Sequence, residues 1–197
     1  MKKKIPFGGL VLCGCFFLGG LLGCMMANGV DESGQVALED YLRTYLTLLA
    51  EDQIEPNFWN TAWSAIKPPL LAFLLGFSFL GVIGLPILFG IEGFLFTFSV
   101  SALGKLFGVE GLLPAFFLFC LPALLWVPIL FLLGQQSFQA ALTQIAKMSG
   151  RAGDKIYPTG YFRRALFYFF GVGILIILEY VALPSLLVAA AAAVIHP

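Results

Sequence analysis

Long uncharged runs alternate with short polar stretches along this chain, and their lengths predict its elements. Ile5 to Ala27 holds no charge, and Pro68 to Ile91 holds none. Gly93 to Val109 is interrupted only by Lys105, Gly111 to Gly134 is again uncharged, and a fifth run from Ala165 to about Val188 is broken only by Glu179. A bilayer core of about 30 Å takes about 20 helical residues. Backbone groups in lipid must be satisfied within their own segment, so each run predicts a helix. Strand-type alternation is absent, and the runs are too long for barrel strands. The pattern therefore predicts an all-α, polytopic helical bundle of about five spans forming one membrane domain. Gly90-Ile91-Glu92-Gly93 predicts a tight turn between spans two and three, and Phe107 to Gly111 another between spans three and four. Glycine tolerates the left-handed angles such turns use. Ala189 to Val194 follows the last span as an apolar tail.

The polar stretches are patterned too. From Val36 to Ala50, Leu38, Tyr41, Leu42, Tyr45, Leu46 and Leu49 recur at i, i+3 and i+4, which predicts an amphipathic helix. Glu55-Pro56-Asn57 breaks it, and Asn57 is placed to cap a second short helix carrying Phe58, Trp59 and Trp63. Aromatics of this kind sit at the headgroup level. Leu38, Tyr41, Leu42, Tyr45, Trp59 and Trp63 thus mark either a surface lying on the leaflet or a face for a partner. Between spans four and five, Phe138, Ala141, Leu142 and Ile145 again fall at helical spacing, and Ser149 to Gly153 ends that helix. Tyr157, Tyr161 and Phe162 flank basic residues, as expected at an anionic inner surface.

Charge orients the bundle. Residues 29–66 carry seven acids (Asp31, Glu32, Glu39, Asp40, Glu51, Asp52 and Glu55) against Arg43 alone. Residues 135–165 carry five bases (Lys147, Arg151, Lys155, Arg163 and Arg164) against Asp154, and Lys2, Lys3 and Lys4 precede the first span. The positive-inside rule then places the N-terminus and the 135–165 loop in the cytoplasm, with the acidic loop and the C-terminus outside. Only an odd number of spans satisfies that assignment.

Composition agrees. Apolar residues make up 60% of the 197 and charged residues 11%, against about 45–50% and about 25% in soluble domains. Mean hydropathy is +0.95. A soluble globule of this size could not hide so much apolar surface, and a disordered chain would not carry it. Eleven bases and eleven acids cancel, so nothing global points to nucleic acid. Cys13, Cys15, Cys24 and Cys120 all lie in apolar runs, with no disulfide framework or metal spacing. Leu21-Leu22-Gly23-Cys24 looks like a lipoprotein cleavage box. However, the uncharged stretch around it exceeds the roughly 7–15 residues of a signal peptide and reads as a retained span.

Two charges fall inside predicted spans. Glu179 lies fourteen residues into span five, about 21 Å deep, and Lys105 twelve residues into span three, about 18 Å deep. Matching depths predict a Glu179–Lys105 contact. Glu92 falls by the predicted turn and reads as wetted. Gly19, Gly23, Gly76, Gly81 and Gly84 favour close helix approach. Enzyme chemistry lacks its parts: the sole histidine is His196 by the terminus, with no zinc pair and no phosphate-binding loop. Gly76-Phe77-Ser78-Phe79-Leu80-Gly81 is superficially similar to a membrane serine protease loop but has no histidine to serve it. The reading is therefore non-enzymatic, without cofactor or metal, and the absence of an internal repeat argues against an inverted-repeat transporter.

Several stretches in order resemble the stage II sporulation protein M family. These are Gly84-Leu85-Pro86-Ile87-Leu88 followed by Glu92-Gly93; Gly108-Val109-Glu110-Gly111-Leu112-Leu113 leading into Leu121-Pro122 and Val127-Pro128; and Glu179-Tyr180-Val181-Ala182-Leu183-Pro184. Gly84, Pro86, Gly93 and Pro184 carry turn and packing positions in that comparison. Some relatives have Pro-His-Gly where this chain has Pro122-Ala123-Leu124, and lysine where it has Glu92. The resemblance covers roughly residues 5–190. It implies a membrane scaffold acting with the peptidoglycan hydrolases called sporulation proteins D and P at the septal membrane during engulfment. The alternative is a small transporter or permease subunit using Glu179 in an ion or proton path.

Overall fold

The computed structural model describes residues 7–50, 58–108, 116, 120–150 and 160–195. Among them are six helices, α1 (Phe7–Gly29), α2 (Glu32–Ala50), α3 (Phe58–Leu75), α4 (Gly81–Phe107), α5 (Leu121–Met148) and α6 (Tyr161–Ile195), and no strand. The molecule is an all-α bundle. α1, α4, α5 and the Tyr161–Tyr180 part of α6 are long and apolar enough to cross a membrane. Their outward faces carry exposed Phe17, Leu21, Met25, Ile83, Ile87, Leu124, Leu166 and Phe170, as a lipid-facing surface does and a soluble one rarely does.

Contacts fix the directions. α1 and α4 run parallel, with Gly19 against Gly90, Gly23 against Phe94 and Phe98, and the Lys105 ammonium on the carbonyls of Ala27 and Asn28. α5 runs opposite to both: Phe138 lies over Gly8, Gly134 meets Leu12 and Phe89, and Phe131 meets Phe16. α3 is antiparallel to α6. Phe73 stacks on Tyr161, Ala62 and Ala65 cluster with Val172 and Ile176, and Phe58 meets Tyr180 edge-on. Tyr161 also touches Ser137, so the starts of α1 and α6 share one end of the bundle. Among the described residues five helices run along the bundle, of which α3 is not one of the four long and apolar enough to cross a membrane, and the start of α1 lies at the opposite end from Tyr180.

These five helices are divided differently from the hydropathy runs. The predicted turn at Gly90 to Gly93 lies inside α4, and the chain reverses at residues 76–80 instead. There it folds through short i→i+3 bonds, from Gly76 N–H to Phe73 O and from Ser78 N–H to Leu75 O. Two carbonyls at this reversal meet distant donors: Gln144 Nε2 donates to Gly76 O at 3.0 Å, and the Tyr161 hydroxyl lies 3.5 Å from Phe73 O, which also accepts from Gly76 N–H. Gly93 is needed for packing instead, because a Cβ there would run into the Phe16 carbonyl of α1. Gly84 sits three residues inside α4, close under the Leu75 side chain, and Pro86 continues the same helix.

The predicted interfacial helix and the span expected to begin at Pro68 are one helix, α3, with Pro68 and Pro69 inside it. Pro69 has no N–H for the carbonyl of Ala65, four residues back. Trp126 Nε1 of α5 donates to that carbonyl at 3.4 Å instead. Lys67 is exposed and lies 5.4 Å from the Trp63 ring centre, turned back along the aromatic start of α3. The predicted loop helix of Phe138 to Ile145 is likewise the second half of α5, where Phe138 and Ala141 are buried and Leu142 and Ile145 exposed. The core is Leu12, Ala72, Leu85, Phe89, Leu130 and Phe138, drawn from α1, α3, α4 and α5.

Candidate functional site: an acid-lined cavity

One stripe from each of four helices faces a common space. On α3 it is Asn60, Thr61, Ser64 and Ala65; on α4, Glu92, Leu95, Phe96 and Ser99; on α5, Pro122, Ala123, Trp126 and Val127; on α6, Leu175 and Glu179. The α4 set recurs at i, i+3, i+4 and i+7, the α3 and α5 sets at i, i+1, i+4 and i+5, and the α6 pair at i and i+4, so each lies on one side of its helix. Phe16 of α1 completes a cavity of about 520 Å³.

Its ends differ. Glu179 adjoins Tyr180, whose ring lies 5.5 Å from Phe58 at the start of α3, and Asn60 and Ser64 beside it are exposed. Glu92 lies eleven residues into α4, about 17 Å along the helix. It neighbours Gly93, which packs on Phe16. One carboxyl therefore stands at the mouth and the other midway down the bundle. The Trp126 indole between them is held by its bond to Ala65.

An acidic side chain at mid-span costs on the order of 2.5–3.5 kcal/mol on insertion scales unless it faces water, a partner or a cavity. Glu92 meets that condition through this cavity, whose lining includes no lysine or arginine.

The predicted Glu179–Lys105 contact does not form. Lys105 donates to Asn28 O at 2.9 Å and to Ala27 O at 3.4 Å, at the C-terminal end of α1. The depth estimate failed because α4 starts at Gly81, not at Gly93. Lys105 is therefore 24 residues along it, about 36 Å, at the helix end. By the same shift Glu92 moves from a wetted turn into mid-helix. Rise also gives depth but no azimuth, and Lys105 faces α1. Asn60, Thr61, Ser64 and Ser99 escaped the sequence reading. Their signal is the seven-residue step from Glu92 to Ser99 and the 60/61/64 spacing, which only the correct helix boundaries make meaningful.

The other predicted surface is α2. Asp31 precedes it and caps it: Asp31 Oδ1 accepts from Gly34 N–H at 3.3 Å and Oδ2 from the Ser33 hydroxyl at 2.7 Å. The Ser33 hydroxyl first, and then the Gly34 amide, hold the Asp31 carboxyl below its ordinary value. α2 packs against α6. Tyr41 is 68% exposed, Val36 and Leu48 are exposed, and Leu38 is half-buried. Trp59, 78% exposed, and Trp63 stand on the open face of α3. The surroundings of Leu42 and Tyr45, and of Pro184 on α6, lie outside the described residues.

No protein-family model, curated protein or solved structure matches this chain.

Proposed function

We propose that this protein is a non-enzymatic membrane scaffold whose extramembrane helix α2 offers a binding face on the wall side of the membrane. The observation that carries the reading is the placement of α2. It is a capped amphipathic helix, packed on α6, with Val36, Tyr41 and Leu48 left open to a partner. The positive-inside rule puts this acidic segment outside the cell. The resemblance to stage II sporulation protein M supplies the partner class, peptidoglycan hydrolases such as sporulation proteins D and P, and the septal membrane as the place. Holding such enzymes beside their substrate raises their effective concentration without new chemistry.

The test is affinity capture of the full chain from sporulating membranes, with immunodetection of wall hydrolases. Tyr41→Glu combined with Leu48→Glu is expected to remove the hydrolases while the protein still accumulates. Undiminished capture by that variant rejects the α2 face.

A second reading, a small transporter, is favoured by the cavity that joins Glu92 to Glu179. It expects ion-coupled flux in proteoliposomes that Glu179→Gln abolishes. The scaffold reading expects Glu179→Gln to be tolerated.

A further inference from the structure

We propose that the cavity between α3, α4, α5 and α6 is a binding site for an amphipathic organic amine, its ammonium group beside Glu92 and its apolar body against Trp126, Phe96 and Leu95. The volume, about 520 Å³, lies within the roughly 300–1,000 Å³ of small-molecule sites. It far exceeds what a bare ion fills. Among the described residues no group of three or more His, Cys, Asp or Glu stands ready to hold a metal.

The chemistry of the lining is divided in the way an amphipathic cation requires. Phe16, Leu95, Phe96, Val127 and Leu175 make apolar walls, and the carboxyls supply the charge. No lysine or arginine of the lining competes for them. The bases of α3 and α4 are engaged elsewhere, Lys105 on the end of α1 and Lys67 over Trp63. Trp126 has its N–H committed to Ala65, so its ring is a fixed wall, and an aromatic face attracts an alkylammonium. Asn60, Thr61 and Ser64 form a polar entrance and Glu179 a first counter-charge, with Glu92 deeper in. A neutral solute would leave that deeper carboxyl without a counter-ion, so the site discriminates by charge. This inference takes nothing from the scaffold reading. It rests on the cavity invoked by the transport reading but requires occupancy, not flux.

Equilibrium binding to the full chain in lipid nanodiscs, corrected for empty nanodiscs, tests it with benzylammonium and its neutral counterpart benzyl alcohol. Benzylammonium is expected to saturate at one per chain and to bind at least tenfold more tightly than the alcohol. Glu92→Gln is expected to bring the amine down to the level of the alcohol, and Glu92→Asp to retain most of the binding. Ala123→Phe, which fills the cavity and keeps both carboxyls, is expected to abolish binding of either probe. This second variant decides the matter if Glu92→Gln does not fold. Equal binding of amine and alcohol, binding unchanged in Glu92→Gln or Ala123→Phe, or complete displacement of the amine by millimolar sodium overturns the proposal. A chain that binds the amine without transporting it sinks the transport reading alone.

Discussion

Replacing Gly19 by alanine puts one methyl group into the tightest seam of the bundle. The added Cβ would fall 2.7 Å from the Gly90 carbonyl carbon and 2.9 Å from Gly90 Cα, with the carbonyl oxygen nearer still. Ordinary contact starts at 3.4 Å, so α1 and α4 must part by at least about 0.7 Å at this point. Backbone, unlike the end of a side chain, cannot swing aside. Gly23 and Gly93 close the same seam one turn away, against the carbonyls of Phe94 and Phe16. A local shift is therefore resisted on both sides. Overpacking of this kind costs about 1–3 kcal/mol. At about 2–4 °C per kcal/mol for a chain of this size, Gly19→Ala should lower Tm by about 2–12 °C. Gly14 lies on the same helix with nothing within 4 Å of its added Cβ, so Gly14→Ala should be neutral or slightly stabilising. Thermal unfolding of both variants in the same detergent, followed by tryptophan fluorescence, measures the difference. Equal Tm values for the two variants would refute the close α1–α4 packing.

Other consequences are as direct. Because Lys105 and Glu179 do not meet, a double-mutant cycle of Lys105→Met and Glu179→Gln should show coupling below about 0.5 kcal/mol. Lys105→Met alone should cost about 1 kcal/mol through lost C-terminal capping of α1. In a cysteine-free background, Leu80→Cys should react with an impermeant maleimide from the side opposite Tyr41→Cys, and Ile91→Cys from neither. Labelling at Ile91 would restore the turn at Gly90 to Gly93. The Asp31 carboxyl titrates below its ordinary 3.8 in the folded state. Its stabilisation is thus complete above that value and lost as pH falls through the lower folded value. Hydrogen exchange at Gly34 and Gln35 should accelerate below about pH 4 relative to Asp31→Asn, which keeps a neutral cap. Tyr161→Phe removes the hydroxyl shared by Ser137 and Phe73, and should cost about 1 kcal/mol.

By itself the sequence determined the membrane-type apolar surface, the helical class and the amphipathic α2. These follow from local quantities: run length, composition and periodicity. The site needed more. From Pro68 to Val109 the chain offers glycines at both 76–81 and 90–93 with almost no polar punctuation between, and a glycine serves a turn or a close approach equally well. The choice fell to partners far away in the sequence. Gln144 donates to the Gly76 carbonyl and Tyr161 reaches that of Phe73, while α1 presses its backbone onto Gly90 and Gly93. The reversal falls where other helices supply donors to its carbonyls. That choice moves α4 by about twelve residues. It carries Lys105 out to the helix end and brings Glu92 onto the cavity that Glu179 also lines. The acid-lined cavity is thus a product of tertiary packing, written in residues whose alignment no single helix reveals.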